Sequence, residues 1–395
     1  MVKCGVFIIG GGLAGLLAAA RLTQLGVECV VLDEGLPESG GSVGGFAKFS
    51  GAKFSLPPAG MGLLGVVGTE ERLWRVVRAV SEFLELDFSD GDYSVDQNEM
   101  AKNLRSYKSL VLEPSQIDQV LGRLKAYLDR KHVRILQGRC EKLVPGIEVC
   151  KLLVSSPDSK DVVLADSVFY AGGRLGVDIM REAGLRPINM KGLDVGARIE
   201  FPSQEGIAPL LAYGPDAKFI QGDCRTFCLN SPGKIFRYPF GSISVPGGVV
   251  ADKSEIAVNF GVLYRSQKKA ELLTRIKRVG QETKASCLEQ GFEAQDSIFG
   301  RARSILCELY GGEIVGKLED FGGFLSDRAL VDWSVPHLVH LPLIDWHWET
   351  YAIANSFRTE ASTIYCIGDS SGHARGLLQA AVSGWVAAEE YTGAS

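Results

Sequence analysis

The sequence has no uninterrupted stretch of the about 18 apolar residues that a helix needs to cross a bilayer, which excludes a membrane-spanning protein. It also lacks a disulfide framework: its nine cysteines are odd in number and scattered along a long chain, so reduced, mostly buried thiols are expected. A formal net charge of -5 gives no general attraction toward nucleic acid. Met1-Val2-Lys3 runs almost directly into Val6-Phe7-Ile8-Ile9, without the charged leader, apolar core and cleavage site of a secretory signal, and a cytoplasmic location is expected. There are only five histidines. His337 and His340, near Asp332 and Asp345, have no recognised ligand spacing, and Pro336 breaks any helix there, so no metal site is expected.

What is present is an ordinary globular composition in a chain of 395 residues, longer than one core usually organises, so two domains are expected. Val6–Ile9 reads as a strand buried on both faces, Leu13–Leu25 as a helix closed by Gly26, and Val27–Leu32 as a second strand. Between the first two lies Gly10-Gly11-Gly12-Leu13-Ala14-Gly15, a G-x-G-x-x-G in the strand-to-helix context that the motif requires. There Gly10 permits the tight turn, Gly12 a close approach of backbone to a pyrophosphate, and Gly15 close helix-strand packing. Asp33 ends the second strand where a carboxylate can accept from a ribose hydroxyl, with Glu34 as the neighbouring alternative. Both halves of a dinucleotide fingerprint are therefore present.

The Gly-, Ser- and Pro-rich segment 40–68 is too long for an ordinary connection and is expected to line the ligand site. Helices are expected at 70–86 and 116–130, and short strands at 133–136, 151–154 and 167–171. From about 200 to 345 the chain turns to short, Pro- and Gly-punctuated segments such as 243–250 and 256–262, which suggests a largely antiparallel second sheet. Arg265, Lys268, Lys269, Arg275, Lys277 and Arg278 alternate with apolar residues at helical spacing; a solvated helix face is the simplest reading, an anionic or protein partner the other. The fold expected is α/β, with a Rossmann-type domain from residues 1–200 and 346–395 and a largely antiparallel substrate domain from 201–345.

Ile364-Tyr365-Cys366-Ile367-Gly368-Asp369, followed by a helix, resembles the C-terminal signature of the glutathione-reductase-like FAD family, and Val168-Phe169-Tyr170-Ala171-Gly172-Gly173 resembles the same family's short strand beside the adenosine half. That resemblance implies FAD as cofactor, with Gly368 and Asp369 at the ribityl chain and Ala171 and Gly172 near the adenosine. Further stretches, 44–53, 195–202, Thr226-Phe227-Cys228, 246–250 and 374–381, resemble a family of FAD-dependent dehydrogenases of undefined substrate. They bring in Gly45, Gly376 and Leu377, alongside Leu13 and Ala14 of the first turn, as cofactor contacts. The chain departs from that family at Leu229-Asn230-Ser231, where the pattern carries a second cysteine.

By the same resemblance His373 and Arg375 stand closest to the flavin, the first suited to proton transfer or to positioning the loop or the cofactor, the second to an anionic substrate, the reduced ring or the pyrophosphate, or else facing solvent. Cys224 and Cys228 have C-x-x-x-C and not C-x-x-C spacing, so a structural role is the first reading. Because no second G-x-G-x-x-G is present, NAD(P)H would dock only transiently as electron donor. The expected activity is hydride transfer between FAD and a small organic substrate. A non-redox enzyme acting on a nucleotide or nucleoside, and a FAD-binding regulatory subunit, are the alternatives.

Overall fold

The computed structural model describes residues 2–35, 43–88, 102–174, 178–188, 191–283 and 288–394. The expected start of the ligand loop at 40–42, and Cys287, lie outside them. The apolar run at the N-terminus forms β1 (Val2–Ile9), which continues through the glycine turn into α1 (Leu13–Gln24) and then β2 (Cys29–Asp33), parallel to β1. β3 (Arg134–Gln137) pairs parallel to the outer edge of β2, and β4 (Lys160–Tyr170) parallel to the other edge of β1. β4 is 11 residues long, and its edge away from β1 serves two partners. Its first half closes an antiparallel meander with Cys150–Ser155, while its last three residues pair in parallel with the C-terminal strand Ile364–Cys366.

α1 is rich in Leu and Ala and buried on nearly every side. One side faces the parallel sheet, and the C-terminal helix Leu377–Thr392 lies against another. Gly384 allows that approach, since a Cβ there would overlap the carbonyl oxygen of Ala14. No helix among the described residues is long and apolar enough to cross a membrane.

The second layer is an antiparallel sheet. Its centre is β5 (Leu193–Phe201), flanked by β9 (Val258–Ser266) and β10 (His337–Asp345); β6 (Cys224–Asn230) lies beyond β9. The sheet thus takes in residues from 193 onward, ahead of the expected start at 201, and its far edge borrows Leu104–Arg105 from the first half of the chain. The strands β7 (Gly233–Phe240) and β8 (Ile243–Val250) form a hairpin of their own. On β5 the alternation is strict: Leu193, Val195, Ala197, Ile199 and Phe201 enter the apolar core under the helices, while Asp194, Arg198 and Glu200 turn to the other face.

Helices cover the core face, among them the basic segment Lys269–Glu282, which buries Leu272, Ile276 and Val279. Lys269 and Arg275 are half-buried and used inside the protein, Lys269 donating to the Trp348 carbonyl at 2.7 Å, while Lys268, Lys277 and Arg278 are exposed. Arg275 donates to the carbonyls of Glu308 (2.7 Å) and Cys307 (3.0 Å) at the end of the helix Arg303–Tyr310, the position where a positive charge complements a helix dipole.

Candidate functional site

A cavity of ≈ 520 Å³ runs between the two sheets. One end is built by the first turn. Gly10 has φ +107°, and a Cβ there would overlap the carbonyl of Ala171 on the neighbouring strand end, so no other residue fits. Gly12 caps α1, and a Cβ there would meet no protein atom within 4 Å, because that direction is the cavity itself. Leu13 and Ala14 follow on the cavity wall, whereas Gly15 is buried behind it, its Cα pressed on the Gly10 carbonyl.

Asp33 and Glu34 both reach this end. They differ in freedom. The Asp33 carboxylate accepts from the backbone N–H of Gly11 and of Gly35 (2.8 Å), closing the turn, while Glu34 makes only a loose contact with Arg139 at 3.9 Å. Burial raises the Asp33 carboxyl above its ordinary value, against the pull of those two N–H groups.

Gly44–Ala47, Phe49–Gly51, Lys53, Ser55 and Gly60 from the long loop line the cavity, as do Ala171, Gly172, Gly368, Asp369, Gly376 and Leu377. The sequence-derived cofactor contacts therefore converge on one space, with Gly15 behind it. The remaining wall comes from Phe227 and Cys228 on β6, Tyr238 on β7, Pro246–Gly248 on β8 and Leu343–Asp345 on β10.

The two sequence candidates for chemistry separate. Arg375 lines the cavity, donating to Asp345 at 2.6 Å and to Asp369 at 3.3 Å, with its guanidinium over the Trp348 ring at 4.9 Å. Burial opposes its charge, but Asp345 and Asp369 hold its pKa above the ordinary value. His373 is absent from the cavity wall. The chain passes Gly372 in a left-handed conformation (φ +75°), and the imidazole Nδ1 then meets the carbonyl of Gly62 at 2.9 Å, where it fastens the 60s loop instead of facing a ligand.

Sequence reasoning missed four groups on the wall. Arg174 approaches Asp369 at 3.4 Å and lies over the rings of Phe46 (5.1 Å) and Trp348 (4.9 Å). Asp345, fully enclosed, is held below the usual carboxylate range by Arg375, Arg174 and Arg225, which outweigh its burial. Arg198 and Lys53 flank Cys228 at the opposite end of the cavity. Cys224 does not share this space: its thiol donates to the Lys317 carbonyl at 3.4 Å in the helix-covered core, so it is no redox partner of Cys228.

His347 packs against Phe240 (4.8 Å), Trp348 (5.3 Å) and Tyr238 (6.3 Å). Burial first, then Arg174, lowers its pKa to about 3. The native imidazole is therefore neutral where the unfolded one, with an ordinary value of 6.5, binds a proton. From 6.5 down to about 3 the unfolded chain holds the extra proton, so stability falls with falling pH, by up to about 1.4 kcal/mol per pH unit from this group. Urea unfolding of the protein and of His347→Phe at pH 7, 6 and 5 checks this; the variant should show the shallower loss.

The fold and site together define a class: an α/β protein whose Rossmann-type unit and antiparallel sheet enclose a common ligand cavity. Residues 8–80 match the model of the NAD(P)-binding Rossmann-like domain family. No curated protein sequence matches the chain. Among solved structures, a geranylgeranyl bacteriochlorophyll reductase-like protein from Thermoplasma acidophilum is 12% identical, covering 100% of this chain and 79% of the other at a TM-score of 0.48. p-Nitrophenol 4-monooxygenase from Pseudomonas putida DLL-E4 is 16% identical, covering 100% and 79% at 0.42. A flavoprotein/dehydrogenase from Cytophaga hutchinsonii is 12% identical, covering 99% and 79% at 0.45.

Proposed function

We propose that the protein is a FAD-dependent oxidoreductase that transfers a hydride between the flavin and a small organic substrate. The observation that carries the reading is the single cavity reached at one end by the glycine turn with Asp33 and Glu34 and, further along, by Gly368, Asp369 and the start of the C-terminal helix. The residues fit the cofactor. The open side of Gly12 and the free N–H groups opening α1 suit a pyrophosphate. Glu34 or Asp33 would accept from the adenosine ribose, Ala171 and Gly172 would border the adenosine, and Asp369 would meet the ribityl chain.

When bound, FAD supplies the hydride chemistry, and the protein supplies orientation, exclusion of water and electrostatic control. Gly376 and Leu377 open the C-terminal helix on the cavity wall, so its positive dipole end would favour negative charge on a reduced ring. Arg375 is already neutralised by Asp345 and Asp369 and so orders this wall more than it offers a free charge. The substrate would enter between the long loop and the face of the antiparallel sheet that carries Arg198 and Cys228. NAD(P)H would serve as a transient donor.

An absorbance spectrum of the purified protein, with the released cofactor identified, tests the reading. Bound FAD that bleaches on anaerobic addition of NADH or NADPH is the expected result; a protein that takes up no flavin even on reconstitution removes the proposal.

A further inference from the structure

Cys228 occupies a backbone position that a cysteine seldom takes. It has φ +45°, in the left-handed region, where the pairing of β6 with β9 slips between Phe227 and Asn230. Such a conformation is strained and persists only where its surroundings enforce it. Here they do. Arg198 Nη1 and Asn230 Nδ2 both donate to the Cys228 carbonyl at 3.1 Å, and Asn259 Oδ1 accepts from the same two groups at 2.7 and 3.0 Å. The result is a thiol on the cavity wall, with Asn230 Nδ2 at 3.8 Å from its sulfur.

The charges around it come from three directions. Lys53, from the long loop, donates to the Leu229 carbonyl beside the thiol. Arg198, from β5, is 1% exposed, lines the cavity and has a buried Nε without a hydrogen-bond partner among the described residues. Asp216 is the acidic group facing the cluster, but it is engaged by Ser55 Oγ at 2.8 Å and by Lys218 at 3.5 Å. Burial raises a thiol's pKa, as it does for Cys224 and Cys140, each pushed to about 12. At Cys228 burial pulls the same way, yet Lys53 and Arg198 outweigh it and hold the thiol below its ordinary value. Burial lowers the Lys53 ammonium in turn, with Cys228 and Asp216 pulling it back up.

We propose that Cys228 is a cavity-facing nucleophile that forms a reversible covalent adduct with an α,β-unsaturated carbonyl compound. A thiolate is a soft nucleophile and attacks the β-carbon of such a compound. The S–C bond forms as the C=C π pair moves onto the carbonyl oxygen. The cations beside the sulfur, including the unpartnered Arg198 Nε, stabilise the enolate so formed, as preorganised donors do wherever charge develops in a buried site. Water then protonates the α-carbon; the net change is addition of S–H across the double bond, and no oxidant or reductant is consumed. This assignment stands independently of the flavin reading.

N-Ethylmaleimide is itself a conjugated carbonyl compound and is the probe. The purified protein, with whatever cofactor it retains, is treated briefly at pH 6 and pH 8, quenched, and each cysteine-containing peptide is quantified by mass spectrometry. An ordinary thiol slows roughly a hundredfold between these pH values because its thiolate fraction falls with each unit. Cys228 should be the fastest-labelled cysteine and should slow by clearly less than that hundredfold, with Lys53→Met and Arg198→Met each steepening the profile. Slowing by that full factor in the unmodified sequence, or a Cys228 that labels no faster than the other cysteines or not at all, overturns the proposal without recourse to either variant. Because the readout is the peptide adduct, its failure is distinguishable from an absence of FAD.

Discussion

Gly12→Val is expected to yield a folded protein that has lost FAD. The backbone at this position is extended (φ -74°, ψ 178°), a conformation valine favours, and a Cβ meets no protein atom within 4 Å. The fold's stake in the glycine is therefore confined to its place as the N-cap of α1, and without cofactor the variant should stay within about 1–2 kcal/mol of the parent in unfolding free energy. The cofactor's stake is large: the isopropyl group would fill the space into which the open end of α1 directs its N–H groups, and binding should weaken roughly a hundredfold or more as the pyrophosphate is displaced from them. Gly15→Val is the control, because a side chain there strikes the Gly10 carbonyl and should impair folding itself. Equilibrium dialysis of FAD against both proteins, alongside urea unfolding, separates the effects. Retention of parental affinity by Gly12→Val would place the pyrophosphate elsewhere.

Asp345→Leu should be the most destabilising change on the cavity wall. The Asp345 side chain is 3% exposed and pairs with Arg375 at 2.6 Å, with Arg225 further off at 3.9 Å. Removing it leaves the Arg375 guanidinium, 4.9 Å from the Trp348 ring, with Asp369 at 3.3 Å as its remaining carboxylate among the described residues. Breaking a buried pair from one side costs about 3–5 kcal/mol, whereas replacing both partners by apolar groups costs far less. The double variant Asp345→Leu/Arg375→Met should therefore recover much of the loss in urea unfolding; a single variant within 1 kcal/mol of the parent would show that the pair is not a structural strut. Its pH dependence has a definite sign. A carboxyl held below its ordinary value contributes stability above that value and loses it as pH falls toward the lowered one, so this contribution is intact at neutral pH.

The glycine turn and its strand-helix-strand setting were legible because every residue involved is adjacent in sequence and the geometry they impose is local. The C-terminal Gly368-Asp369 and the 171–172 turn were reached only through a family resemblance, carried by short stretches at strand ends. What the residues could not disclose was the pairing of distant strands. Arg174, Arg198 and Asp345 lie on separate segments, and the Asp345–Arg375 pair exists only because β10 and the C-terminal turn meet across the cavity. A signal for Arg198 was available: β5 alternates, and a charged residue in mid-strand amid that alternation points to an occupied second face. Cys228 stood out through the Thr226-Phe227-Cys228 stretch and its spacing to Cys224, but its left-handed backbone could not be read, because it lies in a slipped register with β9. His373 shows the opposite failure. Its nearness in sequence to Asp369 was correct, but the reversal at Gly372 turns the ring to the 60s loop.

The divided pairing of β4 has a consequence for how the chain reaches this state during synthesis. The antiparallel sheet, from Leu193 to Asp345, is complete in sequence before the strand that finishes the parallel sheet has been made. Until Ile364–Cys366 and the helix after it emerge, the end of β4 has a bare edge and one flank of α1 has no cover. The dinucleotide half is thus the first to be started and the last to be finished, and the cavity can be sealed only when the final helix lies down on the first.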